Sequence, residues 1–361
     1  MFDYSVLLEQ SPFGVCQADK EKVLTAYLKS LGEHHDSHCE PYSNMMRAMK
    51  FRTEEVKCLA DIPFFPVRLF KELKMSSVSD DGVFKVMTSS GTTGQQVSKI
   101  YLDKNTAANQ QKTLVKIVND FTGGGRLPML IIDSPSVLKN RAMFSARGAG
   151  ILGFSIFGRK KVYALDEEMN LNVQGIKDFL EENKGSRLLL FGFTFMVWQY
   201  FYKKLKELDE SFDFKNAVLI HGGGWKKLAD EAVSSEVFRK ELNAVCGIRD
   251  VFNYYGMVEQ TGSVYMECRE GHLHASSYSD IIVRRAKDFS ECNVGERGII
   301  QVLSALPESY PGHSLLTEDE GMILGVDDCP CGRKGKYFKV LGRIKNAELR
   351  GCSDTYAAEH S

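Results

Sequence analysis

Apolar runs of strand length alternate with amphipathic stretches of helix length between about residue 84 and residue 262. The apolar runs lie at 126–133, 186–193, 216–224 and 249–256, and each ends in a polar or glycine-rich loop. The helix-length stretches lie at 106–120, 171–183, 195–208 and 226–244. This alternation predicts an α/β sheet with crossover helices. Ligands of such sheets bind at the carboxyl ends of the strands, so the loops after the apolar runs are the first candidates for a site.

The same pattern divides the chain into four parts. Residues 1–80 are predicted to form an N-terminal helical segment, and residues 81–262 an α/β core. Residues 263–341 contain shorter strand-like runs, SDIIVRR, RGIIQVLS and KYFKVLG, which indicate a more antiparallel, β-rich subdomain. Residues 342–361 then form a C-terminal tail.

Composition narrows the class of protein. The 361 residues are 43% hydrophobic, enough for a large buried core, and the net charge of -1 argues against a nucleic-acid-binding face. No apolar run approaches the roughly 18 to 20 residues that span a bilayer, and the start of the chain does not resemble a signal peptide. The nine cysteines do not resemble a secreted disulfide framework. A cytoplasmic protein without a membrane span or a nucleic-acid partner is expected.

The stretch MTSSGTTGQQVSKIYLD, residues 87–103, sets a Ser/Thr/Gly-rich loop between two strand-like runs. Its hydroxyls, and its glycines that free backbone N–H groups, are suited to an anion such as phosphate. It lacks the spacing of a Walker loop, and an ordinary hairpin turn is the alternative. The candidate ligands are Ser89, Ser90, Gly91, Thr92, Thr93, Gly94 and Lys99.

Four later stretches favour a nucleotide over a plain turn. HGGGWKK (221–227) follows an apolar run with three glycines, where a flat ring could lie on the backbone. NYYGMVEQTG (253–262) offers Tyr255 for stacking and Glu259 as a metal ligand. LLTEDEG (315–321) presents Asp319, suited to accept hydrogen bonds from a ribose diol, and LGRIKNAELRG (341–351) adds the cation Arg343.

In this order, the Ser/Thr/Gly loop, Y-G-x-x-E, T-x-D and G-R resemble the adenylate-forming enzyme superfamily. Within it, IPFFPVRLFK, SSGTTGQ, FGFTF, HGGGWKKL and ELRGC are similar to the acyl-protein synthetases of the bacterial luminescence fatty-acid reductase, the long-chain-fatty-acid luciferin-component ligases. The resemblance covers almost the whole chain. It implies activation of a carboxylate, here a fatty acid, with ATP and Mg²⁺, release of pyrophosphate and formation of an acyl-adenylate.

The resemblance also implies residue roles. The phosphate loop with Lys99 would hold the triphosphate, Glu259 would bind Mg²⁺, Asp319 the ribose, and Arg343 the ribose or phosphate. The residues assigned to the adenine are Gly222, Gly223, Gly224, Tyr254, Tyr255 and Gly256. Mg²⁺ and fixed N–H donors would stabilise the charge that develops at the α-phosphorus.

The implied fold is the large N-terminal-type domain of adenylate-forming enzymes, with layered sheets, helices and a smaller β subdomain. Because the sequence ends ten residues after Gly351, the usual mobile C-terminal domain is expected to be missing. Residues 344–346 are Ile-Lys-Asn where many relatives have an acidic hinge residue. Both departures count against the domain rotation and the built-in coenzyme A site of larger relatives.

Cys352, just past the arginine motif, is the candidate acyl acceptor, because acyl-protein synthetases are acylated on a cysteine near the C-terminus. An inert cysteine is the alternative. A thioester there implies an acyl reductase or a carrier protein as partner. Two other functions stay open: an aryl- or acyl-CoA-ligase-like enzyme that passes its adenylate to coenzyme A or a carrier, and an inactive nucleotide-binding scaffold.

A Cys₃His set is a candidate structural zinc site. It combines Cys268 and His274 with the C-x-C pair Cys329 and Cys331. His274 is preferred to His272, because its Leu-His element matches phenylacetate-CoA-ligase-like relatives that hold zinc. Reduced cysteines in a turn are the alternative.

Two other stretches carry weaker predictions. The histidines of GEHHDSHCE (32–40) are expected on a solvated loop between helices rather than at a metal. The aromatic stretch FGFTFMVWQYFY (191–202) fits either an acyl tunnel or a packed aromatic helix start.

Overall fold

The structure is a computed structural model that describes residues 3–89, 96–139, 146–208, 210 and 212–344. The α-helices are α1 (Tyr4–Glu9), α2 (Gln17–His38), α3 (Glu40–Ala48), α4 (Leu69–Glu72), α5 (Lys104–Thr122), α6 (Ser136–Lys139), α7 (Ala146–Phe154), α8 (Val173–Glu182), α9 (Thr194–Met196), α10 (Lys203–Glu207) and α11 (Ser235–Cys246). The strands are β1 (Phe65–Pro66), β2 (Lys85–Thr88), β3 (Lys99–Leu102), β4 (Leu127–Ile132), β5 (Gly158–Tyr163), β6 (Leu188–Phe193), β7 (Ala217–Gly222), β8 (Asp250–Tyr255), β9 (Tyr265–Glu267), β10 (Leu273–His274), β11 (Ser279–Arg284), β12 (Arg297–Ser304), β13 (Ser314–Val326) and β14 (Lys336–Arg343).

One twelve-stranded sheet organises the described residues, in the order β11-β12-β13-β14-β10-β9-β8-β7-β6-β4-β5 with β1 beside β13. Strands β4 to β8 pair in parallel, whereas β8 to β14 pair antiparallel. Strands β2 and β3 form a separate hairpin around the predicted phosphate loop. The expected α/β architecture is confirmed. Strands β8 and β9, which lie on either side of residues 262 and 263, pair in the same sheet. The division into four parts stays a prediction.

The parallel strands β4, β6 and β7 are buried on both faces, which explains their nearly continuous apolar sequences. Along β4, Met129 and Ile131 face one hydrophobic cluster, which includes residues of α5 and α7. Leu130 and Ile132 face a second cluster, which includes residues of α8 and α11. Because the ends of these strands meet at one edge, the sheet positions the loops that follow β6, β7 and β8 side by side.

Local capping sets the helix ends. Asp103 caps α5 by accepting a hydrogen bond from the Thr106 N–H, and Gly123 ends it with a φ of 82°. Ser234 caps α11, so the helix expected at 226–244 begins later than its polarity pattern indicated. Lys226–Glu231 forms a 3-10 helical stretch before it. Among the described helices, none has the length and apolarity needed to cross a membrane.

The histidine-rich stretch is helical, and the prediction of a solvated loop was wrong. His34, His35 and His38 all lie on α2. His35 is fully buried, with Nδ1 2.8 Å from the Ser77 Oγ and its ring stacked 5.0 Å from that of His313. Tertiary contacts of α2 with residues near 305–313 bury this side chain, and no local pattern in the sequence shows them.

A buried ion cluster joins α2 to the antiparallel part of the sheet. The Lys20 Nζ lies 3.3 Å from a carboxylate oxygen of Asp280, and both side chains are shielded from solvent. Lys336 approaches the other oxygen of Asp280 at 3.4 Å, and the Gln17 side-chain amide donates to the first at 2.7 Å. Buried charges that are paired and hydrogen-bonded in this way hold their elements in one arrangement, because breaking the pair leaves an uncompensated charge.

Replacing Lys20 with alanine is therefore expected to lower the free energy of unfolding by about 3 kcal/mol, the lower end of the cost of breaking a buried ion pair, since Lys336 still faces Asp280. The measurement is urea denaturation followed by circular dichroism. Lys22→Ala is the matched control, because Lys22 is exposed on the same helix and its pair with Asp19 is solvent-screened. Equal stability of the two variants would contradict the assignment of the buried pair.

Candidate active site

The glycine run after β7 lies directly beside the end of β8. Gly222 and Tyr254 are register partners, and a Cβ on Gly222 would lie 2.3 Å from the Tyr254 ring, so only glycine fits there. Gly223 has a φ of +76° and lies against Phe193. Apart from Gly224 and its two chain neighbours, none of the described residues has a heavy atom within 4 Å of the point where a Cβ of Gly224 would stand. The structure thus brings the predicted glycines and Tyr254 together, with Gly222 and Gly223 packed against aromatic rings and open space beside Gly224.

The two tyrosines of β8 point to opposite faces of the sheet, as neighbouring strand residues must. The Tyr254 ring lies 4.9 Å from that of Phe154, on the α7 side. The Tyr255 ring lies 6.0 Å from that of Tyr265, and its hydroxyl donates a 2.7 Å hydrogen bond to the Asp319 carboxylate. The predicted stacking position, Tyr255, thus already has its hydroxyl committed to another predicted site residue. Gly256 follows at once and is exposed.

The T-x-D stretch owes its shape to its threonine. The Thr317 hydroxyl donates to the Ile300 carbonyl at 2.9 Å and accepts from the Asp319 N–H at 3.1 Å. Asp319 and Arg343 are register partners on β13 and β14. Burial raises the pKa of Asp319, while the Tyr255 hydroxyl and the charge of Arg343 act to lower it. The predicted ribose ligand and the predicted cation are therefore neighbours.

Glu259 faces the base of the phosphate loop. It lies in the 3-10 turn Val258–Gln260 and is 6% exposed. Burial raises the pKa of Glu259, and the Ser98 hydroxyl acts to lower it. The Ser98 N–H in turn donates to the Ser89 Oγ at 2.9 Å, and Lys99 follows as an exposed cation on β3. The remaining predicted loop residues, Ser90, Gly91, Thr92, Thr93 and Gly94, lie outside the described residues.

A buried segment, residues 305–313, forms hydrogen bonds with the turn that contains Glu259. The Tyr310 hydroxyl donates to the Glu259 carbonyl at 2.9 Å. The side-chain amide of Gln260 donates to the Gly312 carbonyl at 2.8 Å. The first contact holds the backbone of Glu259 and the second uses the side chain of its neighbour Gln260, so neither engages the Glu259 carboxylate while both limit its movement.

Sequence reasoning missed three polar residues at this edge. The Asn253 Oδ1, on β8, is buried and has no hydrogen-bond partner among the described residues. The Thr194 Oγ1 lies 2.9 Å from the His221 Nδ1 and donates to the Gly222 carbonyl at 3.2 Å, which joins the ends of β6 and β7. Burial lowers the pKa of His221 to about 3, so the ring is neutral. The only sequence signal was that each residue adjoins a predicted strand end.

The four predicted zinc ligands come together in space. Their donor atoms all lie within 4.8 Å of one another, with the two sulfurs of Cys268 and Cys329 4.0 Å apart. The Cys331 sulfur lies 3.4 Å from the His274 Nε2. His272, the position not preferred, also lies near, with Nδ1 3.4 Å from the Cys329 sulfur. These separations suit a tetrahedral ion with N and S ligands at 2.0–2.3 Å.

Burial raises the pKa of Cys268 and, to about 12, that of Cys329. A divalent cation would offset this cost by stabilising the thiolates, so the chemistry of the donor set fits zinc.

The remaining predicted residue, Cys352, lies outside the described residues. It belongs to the predicted C-terminal tail, whose first residues, Gly342 and Arg343, are the last residues of β14.

Solved structures place this fold in a known class. A crystal structure of 2-hydroxyisobutyryl-CoA ligase, in an open conformation with 2-HIB-AMP and CoA, has a TM-score of 0.70 at 14% identity and covers 95% of this chain and 80% of its own. The same ligase in its postadenylation state with 2-HIB-AMP has a TM-score of 0.69 at 14% identity, covering 94% of this chain and 71% of its own. The fold is that of the adenylate-forming ligases.

Sequence comparison then identifies the family. The family model described as "Acyl-protein synthetase, LuxE" matches residues 3–360, so the chain belongs to the acyl-protein synthetase family and is a ligase. The long-chain-fatty-acid–luciferin-component ligase of Vibrio harveyi is 23% identical over 359 residues, which cover 92% of this chain and 87% of the relative. That of Aliivibrio fischeri is 20% identical over 319 residues, covering 83% and 79%. The family resemblance inferred from the motifs is confirmed.

Proposed function

We propose that this protein activates a carboxylic acid with ATP as an acyl-adenylate and then transfers the acyl group to a thiol. The observation that carries the proposal is the convergence of the predicted groups along one edge of the structure. Glu259 is the buried acid of the turn after β8, and Asp319 bonds to Tyr255 and pairs in register with Arg343. Membership of the acyl-protein synthetase family supports the same chemistry.

In the first half-reaction, a carboxylate oxygen bonds to the α-phosphorus of ATP. The bond from this phosphorus to the bridging oxygen breaks, and pyrophosphate leaves with the electron pair. Lys99, exposed at the base of the loop, would offset negative charge on the phosphates. Asp319 would hold the ribose, and the unpartnered Asn253 Oδ1 would accept a hydrogen bond from the adenine amino group. Holding both reactants in place supplies much of the rate.

Glu259 would hold Mg²⁺. Its carboxylate is buried in the turn after β8, and carboxylate oxygens are the protein ligands that Mg²⁺ binds. Because burial disfavours the ionised form of this carboxylate, a cation beside it removes that cost. Bound there, Mg²⁺ would neutralise charge on the phosphate oxygens.

In the second half-reaction, a thiolate bonds to the acyl carbon, and the bond from that carbon to the AMP oxygen breaks. We assign this thiol to Cys352 and the acid to the fatty acids, the substrate class in the names of the Vibrio harveyi and Aliivibrio fischeri relatives. A thioester keeps the acyl group activated, so an acyl reductase or a carrier protein would be the partner that receives it.

The Cys₃His cluster would hold a structural zinc ion. It joins the turn between β9 and β10 to the loop between β13 and β14, through Cys268 and His274 on one side and Cys329 and Cys331 on the other. With four protein ligands such a site is closed, which is typical of structural and not of catalytic zinc.

The test of the function is carboxylate-dependent exchange of labelled pyrophosphate into ATP, measured across fatty, aryl and amino acids. Exchange with one class of acid is expected. Glu259→Gln is expected to lower it roughly 100-fold or more, on the scale of losing one electrostatic stabiliser. The control is Glu291→Gln, a surface carboxylate outside the site. Full exchange by Glu259→Gln would remove the Mg²⁺ assignment, and no exchange with any acid would contradict the proposed activity.

Acyl loading is read from intact mass in the same samples. We expect the wild type to gain the mass of one acyl group, and Cys352→Ser to lose this gain, because the serine hydroxyl is a far weaker nucleophile than a thiolate. Cys16→Ser is the matched control, a partly exposed cysteine in the N-terminal segment. A mass gain that persists in Cys352→Ser would identify another acceptor, and exchange without any gain would favour coenzyme A or a carrier.

Metal analysis of the purified protein is expected to find one zinc ion per chain. Cys331→Ser should lose this zinc and unfold at a lower temperature, because a structural zinc site contributes folding energy directly. Cys58→Ser, at a cysteine far from the cluster in sequence, should retain it. Zinc-free wild-type protein that keeps its melting temperature after treatment with a chelator would contradict the structural role.

A further inference from the structure

The Tyr255 side chain links two strands that are not neighbours in the sheet. Tyr255 ends β8 and Asp319 lies on β13, with β9, β10 and β14 between them in the strand order. The hydroxyl of Tyr255 nevertheless reaches the Asp319 Oδ2 at 2.7 Å. Neighbouring strands of a flat sheet lie about 4.8 Å apart, so a flat sheet would place β8 and β13 too far apart for one side chain to span. The direct bond therefore requires the sheet to curve here and bring the end of β8 close to β13.

Two buried aromatic rings hold the phenol in that position. The Tyr265 ring, on β9, lies 6.0 Å from it, and the Phe338 ring, on β14, lies 6.3 Å from it with an interplanar angle of 83°. Tyr265 and Phe338 also contact each other edge to face at 5.3 Å. Both are almost completely buried, so the ring of Tyr255 rests on a surface that cannot yield easily.

The Tyr255 hydroxyl can act only as the donor in this bond. Burial and the negative charge of Asp319 both raise the pKa of Tyr255, so the phenol keeps its proton. The Asp319 backbone is held separately, because its N–H donates to the Thr317 hydroxyl. Within the described part of the chain, the carboxylate thus has Oδ2 engaged by the phenol, while no hydrogen bond engages Oδ1.

We infer that Tyr255 is a positioning residue for nucleotide recognition: its hydroxyl orients the Asp319 carboxylate so that both ribose hydroxyls can donate to it. The inference rests on the proposed function. It assigns the phenol hydroxyl a polar role through Asp319, which is separate from any contact that the ring makes with the adenine. A carboxylate that rotates freely must lose that freedom before it can accept hydrogen bonds from both hydroxyls of a cis diol. A carboxylate that is already held in the right orientation binds the diol without this entropy cost.

The inference predicts a loss that depends on the ribose diol. Tyr255→Phe keeps the ring and its packing but removes the donor. Its KM for ATP in pyrophosphate exchange should rise roughly tenfold, the scale of one hydrogen bond to a charged group. Its KM for 3′-deoxyATP, which lacks one hydroxyl of the diol, should change much less. The preference for ATP over 3′-deoxyATP should therefore fall several-fold relative to the wild type.

Tyr265→Phe is the matched control. Tyr265 belongs to the same aromatic group, but its hydroxyl donates to the Asp280 carbonyl, away from Asp319. This variant should lose stability without losing preference for ATP. If Tyr255→Phe is too unstable to assay, Thr317→Val removes the other hydrogen bond that holds Asp319 and should lower the preference in the same way.

Several outcomes would overturn the inference. Tyr255→Phe with an unchanged preference, or with equal losses for both nucleotides, would show that the hydroxyl does not act through the diol. A wild type that exchanges pyrophosphate equally well with both nucleotides would show that Asp319 does not read the ribose. Thermal shifts with ATP and 3′-deoxyATP separate this failure from that of the proposed function, because they need no carboxylate. If the wild-type protein binds ATP more tightly than 3′-deoxyATP but never exchanges pyrophosphate, the ribose site stands and the proposed reaction fails.

Discussion

The register of one continuous sheet is the constraint on which the candidate site depends. Side chains alternate between the two faces of a strand, so a slip of one residue in β8 would exchange Tyr254 with Tyr255. Tyr254 would then leave the Gly222 backbone, and Tyr255 would leave Asp319. Such a slip is excluded by burial, since it would also move Val251 and Phe252 between two different hydrophobic clusters.

A second constraint is that buried hydrogen bonds fix the backbone of the two acidic residues of the site, Glu259 and Asp319. Tyr310 fixes the backbone of Glu259, and Thr317 fixes that of Asp319. Helix α2 contributes indirectly: its Tyr27 hydroxyl donates a 2.7 Å hydrogen bond to the carboxylate of Glu308, which belongs to the same buried segment as Tyr310. The helical segment that precedes the sheet in sequence is therefore part of the support of the site, which no motif within that segment indicates.

Much of the fold was predictable because the period of the hydrophobic residues and the length of each apolar run distinguish strands from helices. Four of the parallel strands, β4, β6, β7 and β8, fall within two residues of the predicted apolar runs, and RGIIQVLS coincides with β12. The fifth, β5, matches none of the predicted runs. The predictions that failed concern residues whose structure depends on distant partners. The helical state of His35 depends on burial against residues near 305–313, and the late start of α11 depends on the Ser234 cap. Polarity alone could not separate a solvated loop from a helix whose polar residues are buried.

The sequence by itself determined the family, the α/β class and the identity of the candidate groups, because motif order and hydrophobic period are properties of the chain. Only the tertiary structure decided how those groups meet. It brought Cys268 and Cys329, sixty-one residues apart, within 4.0 Å, and it turned the Tyr255 hydroxyl toward Asp319. Strand pairing and burial determine such contacts. The number of residues between two positions in the chain does not predict the distance between them in the folded protein.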